Sequence, residues 1–171
     1  MTNEAINGMA TLLEIEELPI RVNTRGEWLH GDKPLHPKVE ILFRESVRIN
    51  EDGTYRIEMG RNKSPIEVED VAFFVRSMQL EFSGAETLES VELKLSDGTN
   101  EALNPRTLMQ SESNVFYCRL ERDGFWVPCR FPPAAYHELL LHAEMVDSKV
   151  LLQIGNDQFQ IQEYNPTPEP T

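Results

Sequence analysis

Gly26-Glu27-Trp28 and Gly124-Phe125-Trp126 open two stretches, residues 26–68 and 124–161, that follow one pattern. Each has an aromatic strand end, then a proline (Pro34, Pro132) leading into an apolar run at helical spacing. Each closes on an alternating strand that ends at a glycine (Gly60, Gly155) and is followed by a second short strand. Trp28 to Trp126 and Pro34 to Pro132 share one offset of about 98 residues, and the glycines need only a three-residue deletion in the second copy. Self-similarity of this kind decides architecture before any local motif does. It implies two related strand-helix-strand-strand units.

At 171 residues the chain has room for one domain of ordinary size or two small ones sharing an interface. Apolar and charged fractions of 40% and 26% are those of a globular protein. No apolar run approaches the ~20 residues of a membrane span, so no membrane partner is expected. Met1-Thr2-Asn3-Glu4 lacks a positive lead and an apolar run, which makes a cytoplasmic location the default expectation. The net charge of −13, from 29 acidic and 16 basic residues, argues against an extended nucleic-acid track, which needs Lys and Arg along its length. It leaves room for a mononucleotide on a local basic patch, and it also serves solubility. Cys118 and Cys129 stand eleven apart, in no metal or redox spacing, and read as structural thiols in strand-like segments.

The spacing predicts an amphipathic helix within residues 3–17, ended by Leu18-Pro19. Residues 20–22 and 27–29 read as strands around a turn, and Pro37 suits the first turn of a helix reaching about Arg48. Asp52-Gly53 marks a turn before the strand of Tyr55, Ile57 and Met59. The middle segment reads as strands and hairpins, with a strong turn at Ser96-Asp97-Gly98-Thr99-Asn100. Pro132-Pro133 starts a second helix with Tyr136, Leu139, Leu140 and Ala143 as its buried stripe. The expected fold is α+β with antiparallel sheets and one helix per copy. Its expected divisions are an N-terminal helix and lead-in (1–19), an α+β subdomain (20–71), a β-rich subdomain with one helix (72–163) and a disordered, proline-containing tail (164–171).

No phosphate loop, dinucleotide fingerprint, nucleophile elbow or zinc-ligand spacing is present, so no catalytic residue, metal or cofactor is expected. His137 and His142 are five apart and do not share a helix face, although His142 lies one turn beyond Glu138. His30 and His36 flank Gly31-Asp32-Lys33-Pro34, either as a ligand rim or as an ordinary polar loop. The Gly60-Arg61-Asn62-Lys63 turn is the dense positive spot, where cations and backbone N–H groups can hold a phosphate or carboxylate. Glu69 and Asp70 point to opposite faces of a strand and cannot line one site without a bulge. Arg61 and Lys63 are therefore the candidate charged contacts. Trp28 is either an aromatic wall or a core residue, and His36 completes the candidate ligand-binding set. A cleft between the two copies is the natural place for a ligand.

The pattern of Trp28, a glycine and a proline, the helix Val39-Glu40-Ile41-Leu42-Phe43, the hairpin Asp52-Gly53-Thr54-Tyr55, and Ile66-Glu67-Val68-Glu69-Asp70 before Phe73 resembles the DUF1285 family of bacterial proteins. Ala135-Tyr136-His137-Glu138-Leu139 and Gly155 with Phe159 extend the resemblance over about residues 20–161. The resemblance implies a duplicated α+β fold whose C-terminal half is similar to pleckstrin-homology domains. It also implies a small phosphorylated or nucleotide-like ligand held between the halves, and a role in signalling without established enzymatic activity. The chain departs from the family pattern at Met59-Gly60-Arg61-Asn62-Lys63, and His36 or Pro37 replaces an expected arginine. From the residues themselves, a protein–protein adaptor working through an open sheet edge or the acidic surface is the alternative. A hydrolase or isomerase using His30, His36 or Glu138 with His142 ranks last.

Overall fold

The computed structural model describes residues 19–84 and 86–171. The helix expected within residues 3–17 lies outside them. Strands β1 (Ile20–Val22), β2 (Trp28–His30) and β3 (Lys33–Pro34) lead into helix α1 (Pro37–Glu45). A meander of β4 (Val47–Ile49), β5 (Tyr55–Met59) and β6 (Asn62–Val68) follows. They form one six-stranded sheet in the order β3-β2-β1-β6-β5-β4.

Helix α1 begins where Pro37 needs no N–H partner and the His36 ring accepts the Lys38 N–H at 3.2 Å. It ends earlier than its periodicity suggests. Val47, expected on the helix, instead alternates with Ile49 against β5, both buried, Val47 opposite Ile57 and Ile49 opposite Tyr55. The Ser46 hydroxyl closes the last turn on the Leu42 carbonyl, and the β-branched pair is better used on a pleated surface. Phe43 anchors the helix on the Trp28 ring, centroids 6.3 Å apart.

The C-terminal part is built on β7 (Phe73–Phe82), β8 (Leu88–Leu95), β9 (Asn100–Ala102), β10 (Met109–Gln110), β11 (Phe116–Arg122) and β12 (Phe125–Arg130). Helix α2 (Pro133–Leu140) precedes a separate three-stranded sheet of β13 (Ala143–Val146), β14 (Lys149–Ile154) and β15 (Asp157–Gln160). Short strands β16 (Gln162–Glu163) and β17 (Glu169–Pro170) return to the large sheet, ordered β16-β10-β11-β12-β7-β8-β9 with β17 beside β12. Ala143, expected on α2, belongs to β13. The following turn places Asp147 and Ser148 both at positive φ, which suits a tight hairpin.

The fold is thus α+β, mostly strand, but its two larger sheets are mixed, and only the β13–β14–β15 sheet is antiparallel throughout. β1–β6, β7–β12 and β10–β16 all pair in parallel. Parallel neighbours need long crossovers, and α1 with its meander supplies the one that returns β6 to β1. Each helix is preceded by a strand and followed by a three-stranded meander whose second hairpin turns at a glycine of φ +61°, Gly60 or Gly155.

One continuous core joins both parts, from Ile20, Trp28 and Phe43 to Phe73, Phe116, Phe131 and Leu152. Tyr55 of the first sheet meets Phe73 of the second edge-on at 6.4 Å. Cys118 and Cys129 face each other across β11 and β12, both buried and unbridged, and burial pushes the Cys129 thiol up. Within the expected tail, Glu169 and Pro170 pair with Trp126 and Phe125 at the start of β12.

Gly26 takes φ +80° directly against the Phe74 ring, where an added Cβ would approach ring carbons to 3.2 Å. Gly26→Ala is therefore expected to cost about 1–3 kcal/mol, from left-handed strain and a crowded aromatic together. A thermal melt checks this, and an unchanged midpoint would show that the turn tolerates a side chain.

Candidate functional site

The structure separates the residues that the sequence groups as a ligand site. Trp28 is 2% exposed and packs in the core, so it walls no groove. His36 is the cap of α1. Lys63 pairs with Glu58 at 3.5 Å, and the Arg56 guanidinium beside Glu58 holds that carboxyl below the usual range. Arg61 and Lys63 share the β5–β6 turn, whereas Trp28 aligns through Val22 with Val68, at the opposite end of β6. Among the described residues no hydrogen bond or ion pair joins His30, His137 or His142 to a carboxylate. Asp32 pairs with Arg21 at 3.4 Å, His137 stacks on Tyr136, and His142 packs on Phe82.

Glu69 and Asp70, expected as neighbours on a strand, lie instead on the bend after β6 and take different partners. Glu69 pairs with Arg21 at 3.6 Å. Asp70, on the link between β6 and β7, collects three partners from distant parts of the chain. Its carboxylate accepts the Tyr117 hydroxyl at 2.8 Å, Arg130 Nη1 at 2.9 Å and the Tyr164 hydroxyl at 3.3 Å. The two tyrosine rings stack 3.7 Å apart. Burial, the hydrogen bond to Asp70 and its negative field push Tyr117 up to about 12. Every group here already has a partner, so the cluster reads as a lock between the two parts of the fold.

A different arrangement has the character of a binding site. A pocket of about 280 Å³ lies between α1 and the β7–β8–β9 face, where the N-terminal part meets the C-terminal sheet. Arg44 of α1, Arg76 of β7 and Lys94 of β8 line it, with Ile41 as an apolar wall and Glu45 at its edge. The register of β7 on β8 passes from Val75–Leu95 to Ser77–Lys94, so Arg76 is the extra residue of a β-bulge. Bulges re-aim side chains in this way, and here the result is an arginine beside a lysine. Gly98, at φ +84°, leaves room for the Glu45 carboxylate, which would sit 3.1 Å from an added Cβ, and so seats α1 against the β8–β9 turn.

None of these three cations has a side-chain hydrogen-bond or ion-pair partner among the described residues, and Arg44 Nε is buried without one. By contrast Arg21, Arg56, Arg119, Arg122 and Arg130 are each paired with a carboxylate. The volume lies just below the usual range of ligand pockets, about 300 to 1,000 Å³. Sequence reasoning missed the trio because its members lie far apart in the chain and the bulge carries no glycine to mark it.

The fold and its pocket define a mixed α+β protein with a small cationic cleft between two sheet-bearing parts. No family model and no curated protein matches the chain. Two solved structures share its fold, and both are DUF1285 family proteins, the family that the sequence motifs resemble. The protein from Silicibacter pomeroyi DSS-3 is 14% identical with a TM-score of 0.66, over 85% of this chain and 80% of that one. The protein from Shewanella baltica OS155 is 19% identical with a TM-score of 0.53, over 72% of this chain and 91% of that one.

Proposed function

We propose that this chain is a divergent DUF1285-type module that binds a small anionic ligand, phosphorylated or nucleotide-like, in the cleft between its two parts, and that it acts in signalling rather than catalysis. The observation that carries this reading is three cations without carboxylate partners converging on one cleft, in a chain of net charge −13. Two guanidinium forks and an ammonium match a phosphate group in charge and in donor geometry. We read the strand–helix–meander stretches as a duplication and the C-terminal part as pleckstrin-homology-like. The matching order of elements and the paired hairpin glycines support the first of these. No helix among the described residues is long and apolar enough to cross a membrane, and we assign the protein to the cytoplasm.

A thermal-shift screen against nucleotides, cyclic dinucleotides and phosphorylated metabolites tests the reading. A ligand at about 100 times its dissociation constant stabilises the folded state by about 2.7 kcal/mol. Arg76→Ala and Lys94→Ala are each expected to weaken binding by about tenfold or more, the scale of one lost charge-assisted hydrogen bond. Arg61→Ala and Lys63→Ala, on a separate turn, are expected to leave it unchanged. A hit lost with Arg61 or Lys63 and retained without Arg76 would move the site back to the β5–β6 turn. No hit from any class would favour a protein–protein adaptor. One surface favours that second reading: Leu141 and Met145 are 81% and 73% exposed, beside the outer edge of β13.

A further inference from the structure

Arg119 is the most enclosed cation of the C-terminal sheet, with a side chain only 10% exposed. Its guanidinium chiefly holds backbone. Nη1 donates to the carbonyls of Trp126 at 3.2 Å and Thr167 at 3.0 Å, and Nη2 donates to the carbonyl of Asn165 at 2.8 Å. The Glu169 carboxylate stands 3.8 Å away. The segment that supplies these acceptors is folded around the arginine. The Asn165 side-chain oxygen accepts the Thr167 N–H at 3.1 Å, and its amide nitrogen donates to Glu169 at 3.3 Å.

Beyond this turn the segment becomes a strand. Glu169 and Pro170 pair antiparallel with Trp126 and Phe125, and Thr171 donates to the Gly124 carbonyl at 3.0 Å. This edge is open to it because β7 pairs with β12 only at Cys129 and Arg130. Pro166, Pro168 and Pro170 occupy alternate positions, which biases the segment toward an extended conformation before it docks. Two pockets are lined by Arg119 and Trp126: one of about 380 Å³ that Asn165 and Glu169 also line, and one of about 300 Å³, lined by Asn104 and Glu101, that no residue of 165–171 lines.

We propose that this groove is a binding site for an extended, proline-punctuated peptide of a partner protein, with one carboxylate set opposite Arg119, and that residues 165–171 occupy it in cis as a built-in competitor. Strand addition to an open sheet edge is a general mode of peptide recognition, and Arg119 adds to it the contacts with the Thr167 and Asn165 carbonyls. The 300 Å³ pocket offers an external peptide contacts that the internal segment does not make. A single carboxylate suits the site better than an acidic tract, because a chain of net charge −13 repels further negative charge.

The test uses the full chain and a fluorescently labelled peptide spanning residues 165–171, read by anisotropy. Glu169→Lys places a cation beside Arg119 in the internal segment and loosens it, and Glu169→Gln does so more mildly. The Glu169→Lys chain is expected to bind the free peptide at least about tenfold more tightly than the wild type, whose tethered segment competes at an effective concentration of order millimolar. Glu169→Gln is expected to fall between them. Arg119→Lys in the Glu169→Lys chain, which keeps charge and loses the fork, is expected to weaken binding, as is a peptide with alanine at all three proline positions. Equal affinity of all three chains for the peptide would overturn the proposal. So would the absence of saturable binding to a Glu169→Lys or Glu169→Gln chain that melts cooperatively. A concentration-dependent dimer of the loosened chain in light scattering would assign the groove to a second copy and overturn the assignment to a partner protein.

Discussion

Asp70→Ala is expected to lower the unfolding free energy by about 3 kcal/mol or more, the low end of the loss for breaking a buried ion pair. The carboxylate is 15% exposed and its Arg130 partner 26%, which places the pair below the fully buried case. Two further hydrogen bonds end on the same carboxylate, and all three partners come from 47, 60 and 94 residues away. Removing it leaves Arg130 and two stacked tyrosines without their common acceptor at the junction of the two parts. Asp70→Asn keeps the shape and one acceptor and is expected to cost less. Urea denaturation measures both, and a loss below about 1 kcal/mol for Asp70→Ala would reduce the cluster to a surface ion pair.

The same cluster sets an alkaline limit. Tyr117 is pushed up to about 12, and Tyr55 also to about 12, chiefly by burial. Tyr164 is raised further by burial and by Asp70. A tyrosine whose folded value lies above its unfolded value near 10 holds its proton longer in the folded state. Its stabilising contribution is then complete below pH 10 and is lost as pH rises toward 12. Stability is expected to be level up to about pH 10 and to fall between about 10 and 12 as tyrosinate forms. In Asp70→Asn the field of the carboxylate is gone, so Tyr117 should ionise earlier and less stability should be lost across that window. An unchanged tyrosinate titration in that variant would separate the two groups.

What the sequence revealed was local. Pro37 at the start of α1, the Asp52-Gly53 turn, the Asp97-Gly98-Thr99 hairpin and the strands of the middle segment are all visible in residue type and spacing. Val47 and Ala143 misled because apolar spacing tells which residues are buried, and at a helix end both a further turn and a new strand would bury them. The parallel pairing of β1 with β6 left no local trace, since a strand's periodicity is the same whichever neighbour it takes. Residues 165–171 read as disordered because proline removes backbone donors. The segment docks mainly through its acceptors, and the donors are those of Arg119, some 46 to 48 residues earlier. The candidate site was hidden for a similar reason. Arg61 and Lys63 are close in sequence, which made them conspicuous, but it is the bulge at Arg76 and the packing of α1 that bring Arg44, Arg76 and Lys94 together.

Phe73→Ala is expected to cost about 3–5 kcal/mol, the range for truncating a fully buried aromatic. Phe73 is 1% exposed, and two parts of the fold meet on its ring while a third pairs with its backbone. Tyr55 approaches it edge-on from the first sheet, the Arg122 guanidinium lies 5.7 Å from its centroid, and its backbone is in register with Cys129 of β12. Arg122 is itself held by Asp97 at 3.0 Å and Glu101 at 3.1 Å, so the cation cannot follow the ring's disappearance without breaking those pairs. A double-mutant cycle of Phe73→Ala with Tyr55→Leu is expected to return a coupling of about 0.5–1.5 kcal/mol, the scale of an edge-to-face pair. Because one core spans both parts, wild-type unfolding is expected to be a single transition, and residues 20–71 should not melt apart from residues 72–163. Two transitions in the wild type would make them separate units and the cleft a mobile domain boundary. One transition keeps Arg44 on its helix at a set distance from Arg76 on its strand, so an anion would meet a cleft whose cations need little rearrangement to receive it.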